Sequence, residues 1–272
     1  ELVSAGSGAA TAAENVLQAV VADYLRYPPP ETLRRAVQVQ QLTDAIGVQY
    51  PLRPADQARV WRVSAIATGI RGWLENNAGR QTDARFSLRE AHRRSELLED
   101  PQLIAWTRYL QAVVEDYAGN PQMAEQYARD GLRHAASGPQ RVLLLVDSLA
   151  GARAAQGDVV SVDQAIAEAE TITSRLPGDR YTSLGASRTI VDDLTTLRPY
   201  EIAFRGGRAY ARLGLPDRFA DITGQAQADA DDRKLNSRAL FRIDAALAVA
   251  RSNSPDLDRA AELARARLQI AS

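Results

Sequence analysis

From Ala12 onward apolar residues recur at steps of three and four, with polar residues between them, almost to the end of the 272-residue chain. That spacing lays an apolar stripe along one side of a helix. It predicts helices over about 12–26, 29–46, 55–78, 81–98, 101–118, 121–136, 139–156, 160–175, 187–196, 198–213, 216–231, 235–251 and 256–270. No run of alternating β-branched residues flanked by turn residues occurs, so no sheet is expected. Pro28, Pro29 and Pro30 stop the first helix, and Pro51 and Pro54 bracket the loop after the second. Pro101, Pro121 and Pro216 stand where a new helix begins, a place where the missing N–H does little harm. Gly79, Gly119, Gly157 and Gly214 each end an apolar-periodic stretch, the left-handed stop position that glycine tolerates best. The loops are short, which makes consecutive helices antiparallel neighbours. Residues 1–11 are small and polar without an apolar period, and are expected to form a flexible segment. They do not read as a signal peptide, because no basic start followed by a long apolar stretch is present.

The turn glycines carry an internal repeat. Gly79 and Gly119 are 40 residues apart, and at the same offset Gly72 falls on Ala112, Ala84 on Ala124 and Ala91 on Gly131. A small residue thus precedes the glycine by seven and follows it by five and by twelve. Gly157 has Ala150 seven before it; Gly214 has Gly207 seven before it and Ala226 twelve after it. The last copy lacks the glycine, with Asn253, Ser254 and Pro255 in its place. Two antiparallel helices approach closely only where small side chains face each other, and one such pair cannot bury its apolar side alone. Pairs therefore stack. The fold expected is all-α, a right-handed superhelical solenoid of antiparallel helix pairs. Residues 12–54 form an N-terminal helical pair. Residues 55–272 form about five further pairs, at 55–98, 101–136, 139–175, 198–231 and 235–270, with an insertion at 176–197.

This pattern resembles the tetratricopeptide repeat, matching it at the small residue of the first helix, the turn glycine and the small residues of the second. The 40-residue spacing is longer than that family's period of about 34, so the resemblance implies an irregular TPR-like solenoid. Two phrases resemble a narrower group. Gly69-Ile70-Arg71-Gly72-Trp73-Leu74-Glu75-Asn76-Asn77-Ala78-Gly79-Arg80 and Tyr200-Glu201-Ile202-Ala203-Phe204-Arg205-Gly206-Gly207-Arg208-Ala209-Tyr210-Ala211-Arg212-Leu213-Gly214 look like the C-terminal helical region of actinobacterial Xre-type transcriptional regulators. In that family a helix-turn-helix domain precedes a tetratricopeptide-like sensory region. The resemblance implies that DNA is engaged only through a helix-turn-helix domain not present in this chain.

Composition narrows the chemistry. A net charge of −1 excludes a generally basic nucleic-acid-binding surface. With no cysteine there is no disulfide framework, zinc–thiolate site or thiol nucleophile. Of the 33 basic residues only Lys234 is lysine, and 48 residues are alanine, a helix-favouring composition. No apolar run reaches the 18–20 residues or so that a membrane span needs, and a cytoplasmic location is expected. His92 and His134 fall near the ends of second helices and read as surface or capping residues. Glu115-Asp116, Asp192-Asp193 and Asp229 with Asp231-Asp232 read as solvated charge, as does Arg93-Arg94. Gly206-Gly207 lies inside a helical pattern and reads as close packing. No catalytic or metal-ligating spacing emerges, so no enzyme, cofactor or metal is expected.

The inner side of the solenoid is the place to look for binding. Residues one, four, eight, eleven and twelve into each first helix should face it. Counting back from each turn glycine gives Ile66, Gly69, Trp73, Asn76 and Asn77; then Trp106, Tyr109, Val113, Asp116 and Tyr117; then Leu144, Asp147, Gly151 and Ala154; then Glu201, Phe204, Arg208, Ala211 and Arg212, with Arg205 beside them. The candidate ligand residues are Trp73, Asn76, Asn77, Trp106, Tyr109, Asp116, Tyr117, Asp147, Glu201, Phe204, Arg208 and Arg212. Amides that pair with a peptide unit, aromatic walls and arginine forks suit an extended peptide. Two functions are expected to compete. One is a sensory effector domain of a transcriptional regulator, taking a peptide or small molecule and working within a homodimer. The other is a stand-alone scaffold that holds a protein partner.

Overall fold

Proline opens most of the helices in the computed structural model, which describes residues 2–22, 28–136, 138–176, 199–229 and 235–265. Helix α1 spans Leu2–Ala22, α2 Pro29–Gln49, α3 Pro54–Asn77, α4 Gln81–Leu97, α5 Pro101–Tyr117 and α6 Pro121–His134. The next helical run has three parts: α7 (Pro139–Leu143), a π-helical segment (Leu144–Leu149) and α8 (Ala150–Ala155). Then follow α9 (Val159–Thr173), α10 (Pro199–Leu213), α11 (Pro216–Asp229), α12 (Leu235–Ala250) and α13 (Leu257–Arg265). Among the described residues there is no strand. No described helix is long and apolar enough to cross a membrane. The helix expected over 187–196 and the insertion at 176–197 fall almost wholly outside the described residues.

The turn glycines adopt the left-handed conformation, with φ of +75° at Gly79, +77° at Gly119 and Gly157, and +69° at Gly214. Around each, the N–H of the following residue bonds back across the turn: Arg80 to the Glu75 carbonyl at 2.9 Å, Asn120 to Glu115 at 2.9 Å, Asp158 to Arg153 at 3.0 Å and Leu215 to Tyr210 at 3.0 Å. These bonds use carbonyls that a helix end leaves open. At the start of α5 the Asp100 carboxylate accepts from the N–H groups of Gln102 and Leu103, a side-chain cap.

The helices pack as antiparallel pairs, α1/α2, α3/α4, α5/α6, α7–α8/α9, α10/α11 and α12/α13, with both helices of a pair lying against the first helix of the next. This is the packing of an α-solenoid. The small residues stand at the crossings. A Cβ added at Gly72 would sit 2.7 Å from Leu88 Cγ, one at Gly207 2.6 Å from Thr223 Cγ2, and one at Gly131 2.9 Å from Leu144 Cδ2. Ala84, Ala91, Ala112, Ala124, Ala128 and Ala150 are all buried. Position four before the turn glycine ties neighbouring elements together. Glu75 accepts from Arg71 and Ser87, Glu115 from both ends of the Arg85 fork, Arg153 donates to Glu125, and the Tyr210 hydroxyl donates to Asp163.

Three sequence expectations need correction. Of the segment 1–11, the described residues 2–11 are not irregular: α1 begins at Leu2, with Gly6 and Ala10 buried. A Cβ at Gly6 would lie 3.1 Å from Leu52 Cδ2, so the lack of bulk that suggested flexibility lets α1 nest on the 50–53 loop. Ser7 donates to Asp56 at 3.1 Å, and Arg59 bridges to Glu14 at 2.6 Å. His92 is a buried residue, its Nδ1 3.0 Å from the Thr107 hydroxyl. Burial, aided by Arg108, holds its imidazole below the usual pKa. Nor is Glu115-Asp116 solvated charge. Glu115 is buried on Arg85 and Asn120, and Asp116 faces the cavity described next.

Candidate functional site

A cavity of about 260 Å³ opens on the side of the molecule formed by the first helices. Its described lining comes from five successive first helices and from no second helix. Trp73 belongs to α3; Tyr109, Val113, Asp116 and Tyr117 to α5; Asp147 to the π segment; and Gly151 to α8. Phe204, Arg205, Arg208, Ala209 and Arg212 belong to α10, and Leu240, Phe241 and Asp244 to α12.

Three arginines at steps of three and four form a stripe along α10, and each reaches an aspartate on a different element. Arg205 pairs with Asp147, whose carboxylate also accepts from the Tyr109 hydroxyl at 2.8 Å. Arg208 Nε lies 3.4 Å from Asp244 Oδ2. Arg212 Nη1 donates to Asp116 at 2.7 Å and to the Gly151 carbonyl at 3.3 Å. The Arg212–Asp116 bridge joins the fourth counted pair of helices after α1/α2 to the second, passing over α8. Gly151 leaves room for it, because a Cβ there would stand 3.4 Å from Arg212 Nη1. Asp147 sits where the helix widens: the Ala150 N–H bonds to the Leu145 carbonyl, five residues back. Such single π turns recur at functional sites.

Burial and pairing set the charges. Burial pushes the Asp147 carboxyl up, but Arg205, Arg208 and the Tyr109 hydroxyl more than offset this and hold it below the usual carboxylate range. Burial, with the Asp147 charge beside it, drives the Tyr109 phenol far above its ordinary value. Burial raises Asp244, against the pull of Arg208. Burial likewise works against the charge on Arg208, and Asp147 and Asp244 overcome it. The walls are aromatic. The Trp73 and Tyr117 rings are 6.4 Å apart, and Phe241 stands between Phe204 at 5.3 Å and Phe219 at 5.2 Å.

The cavity brings together Trp73, Tyr109, Asp116, Tyr117, Asp147, Phe204, Arg208 and Arg212 from the sequence-derived set. It does not include Asn76, Asn77 or Trp106. Trp106 is only 3% exposed and fills the space above Gly69, where a Cβ would stand 2.4 Å from the ring. The position thirteen before the turn glycine is core here, as Ile66 and Leu144 also are. Asn76 and Asn77 occupy the last turn of α3, beyond the cavity edge. The side chain of Glu201 lies outside the described residues. The sequence count missed Leu240, Phe241 and Asp244 because the last pair has no turn glycine to count from. Counting back from Ser254 as the substitute would have given Phe241 and Asp244. Among the described residues no group of three or more His, Asp or Glu side chains is placed to hold a metal ion.

Comparison of the chain with protein-family models, with curated proteins and with solved structures gives no match.

Proposed function

We propose that this chain is the ligand- or peptide-sensing domain of a cytoplasmic transcriptional regulator, a right-handed TPR-like superhelix without catalytic activity that acts within a homodimer. DNA contact is assigned to a helix-turn-helix domain outside this chain. The observation that carries the reading is the origin of the cavity lining in the first helices of five successive pairs. A ligand held there touches several repeats at once and favours one spacing between them. Neighbouring repeats share interfaces, so a change of spacing is a change of curvature that reaches the ends of the array. The Arg212–Asp116 bridge over Gly151 is where such a change is felt most directly.

The second reading is a stand-alone TPR-like scaffold for a protein partner. It is favoured by the half-exposed Tyr117 and Leu240, which line the cavity and offer apolar surface to an inserted side chain. The two separate in one experiment. The purified chain is melted with and without the low-molecular-mass fraction of a bacterial extract, beside a Gly151→Trp variant that plugs the cavity. A sensor melts higher with the extract, and the plugged variant, folded by circular dichroism, does not respond. No response in the intact chain, with stoichiometric co-purification of one protein, would replace the sensor by the scaffold.

A further inference from the structure

The charges of the cavity specify more than a place to bind. Its described lining holds three carboxylates and three guanidinium groups, so it is electrically balanced before anything enters. A ligand bearing a net charge would leave one charge uncompensated in a partly buried site, which the lost hydration of that charge opposes. An uncharged apolar ligand would leave the open polar groups unserved. These groups are identifiable. Arg208 makes a single long bond, from Nε to Asp244 Oδ2, so its two terminal amino groups have no partner among the described residues. Asp244 uses only that one oxygen, and its Oδ1 is likewise open. An unfilled donor fork thus stands beside an unfilled acceptor, both within the aromatic walls of Trp73, Tyr117, Phe204 and Phe241.

We infer that the cavity takes a free zwitterionic amino acid with an apolar or aromatic side chain. Its carboxylate lies on the terminal amino groups of Arg208, its ammonium on Asp244 Oδ1, and its side chain against the rings. A guanidinium fork matches a carboxylate in two parallel bonds. The ammonium adds a positive charge at the open oxygen of a carboxylate that Arg208 meets only through the other one. Arg205 and Arg212 stay on Asp147 and Asp116, so no existing bridge has to break. The inference rests on the reading of this cavity as a ligand site.

Isothermal titration of the full chain with L-phenylalanine and L-leucine tests it. The companions are phenylalanine amide, which lacks the carboxylate, and N-acetyl-phenylalanine, which lacks the ammonium. The expected result is binding of the free amino acids and a loss of about tenfold or more for each blocked analogue, the scale of one charge-assisted contact. Arg208→Gln and Asp244→Asn should each weaken L-phenylalanine binding by about as much. The analogues on the unaltered protein keep the test decisive if either variant misfolds. Equal binding of the amide or the N-acetyl form would overturn the zwitterion while leaving a ligand cavity. Absence of heat with every compound would also overturn it. The extract and Gly151→Trp experiment would then decide the cavity separately.

Discussion

Replacing Gly72 by alanine sets two opposing effects against each other at one atom. In a helix interior alanine is favoured over glycine by about 1 kcal/mol. Gly8 in α1 has nothing within 4 Å of the position its Cβ would take, so Gly8→Ala should realise most of that gain. At Gly72 the added carbon would lie 2.7 Å from Leu88 Cγ, 2.9 Å from Leu88 Cδ2 and 3.3 Å from the Ala84 carbonyl oxygen. Carbon atoms rest at about 3.5–4.0 Å, so Leu88 must retreat by about 1 Å. It cannot do so cheaply, because Cγ is the branch point of the side chain and Leu88 is fully buried. Overpacking of this kind costs about 1–3 kcal/mol, which equals or exceeds the helix gain. Gly72→Ala should therefore be neutral to destabilised by about 2 kcal/mol, and the two variants should differ by about 1–3 kcal/mol. Urea unfolding followed by far-UV circular dichroism measures this as a shift in midpoint at unchanged slope. A gain for Gly72→Ala equal to that for Gly8→Ala would refute the claim that small side chains set how closely α3 and α4 approach.

Two further outcomes follow from the cavity. In a double-mutant cycle, Asp116→Asn and Arg212→Met should show a coupling of roughly 0.5–3 kcal/mol, because both side chains are largely buried, 12% and 21% exposed. Additive effects would mean that the bridge does not hold the two pairs together. Asp147 should make stability depend on pH. Its folded pKa lies below the unfolded value of about 3.9, so its contribution is complete above that value and is lost as pH falls through the folded one. The groups that hold it low are Arg205, Arg208 and Tyr109, opposed by burial. Denaturation of wild type and Asp147→Asn across acidic pH should give a stability difference that is constant near neutrality and shrinks below about pH 4. A difference that stays level down to about pH 2 would contradict the assignment.

Much of the site was legible because the repeat supplies a ruler. Once Gly119, Gly157 and Gly214 fix where each first helix ends, helical geometry alone decides that Tyr109, Asp147 and Arg208 share a side. The ruler fails at its ends. Trp106 stands at a counted position, yet neighbouring helices converge there and take it into the core. Asn76 and Asn77 are in phase, yet they lie past the edge of the cavity. Asp244 has no turn glycine after it from which to count back.

Local rules settled the helices, their proline starts, their left-handed glycine stops and the small residues at the crossings. Each depends on residues a few positions apart, so the order of residues is enough to read them. Which charge meets which partner was decided only by assembly. Arg212 and Asp116 are 96 residues apart, and nothing near either one marks it for the other. The same holds for Glu115, a surface charge by its neighbours in sequence and a buried one once Arg85 folds onto it. The beginning of α1 belongs here too, since its glycine and alanines become helical by lying against α2, α3 and the loop between them. Periodicity says which way a side chain points, but the free energy of a charge depends on what stands there to meet it.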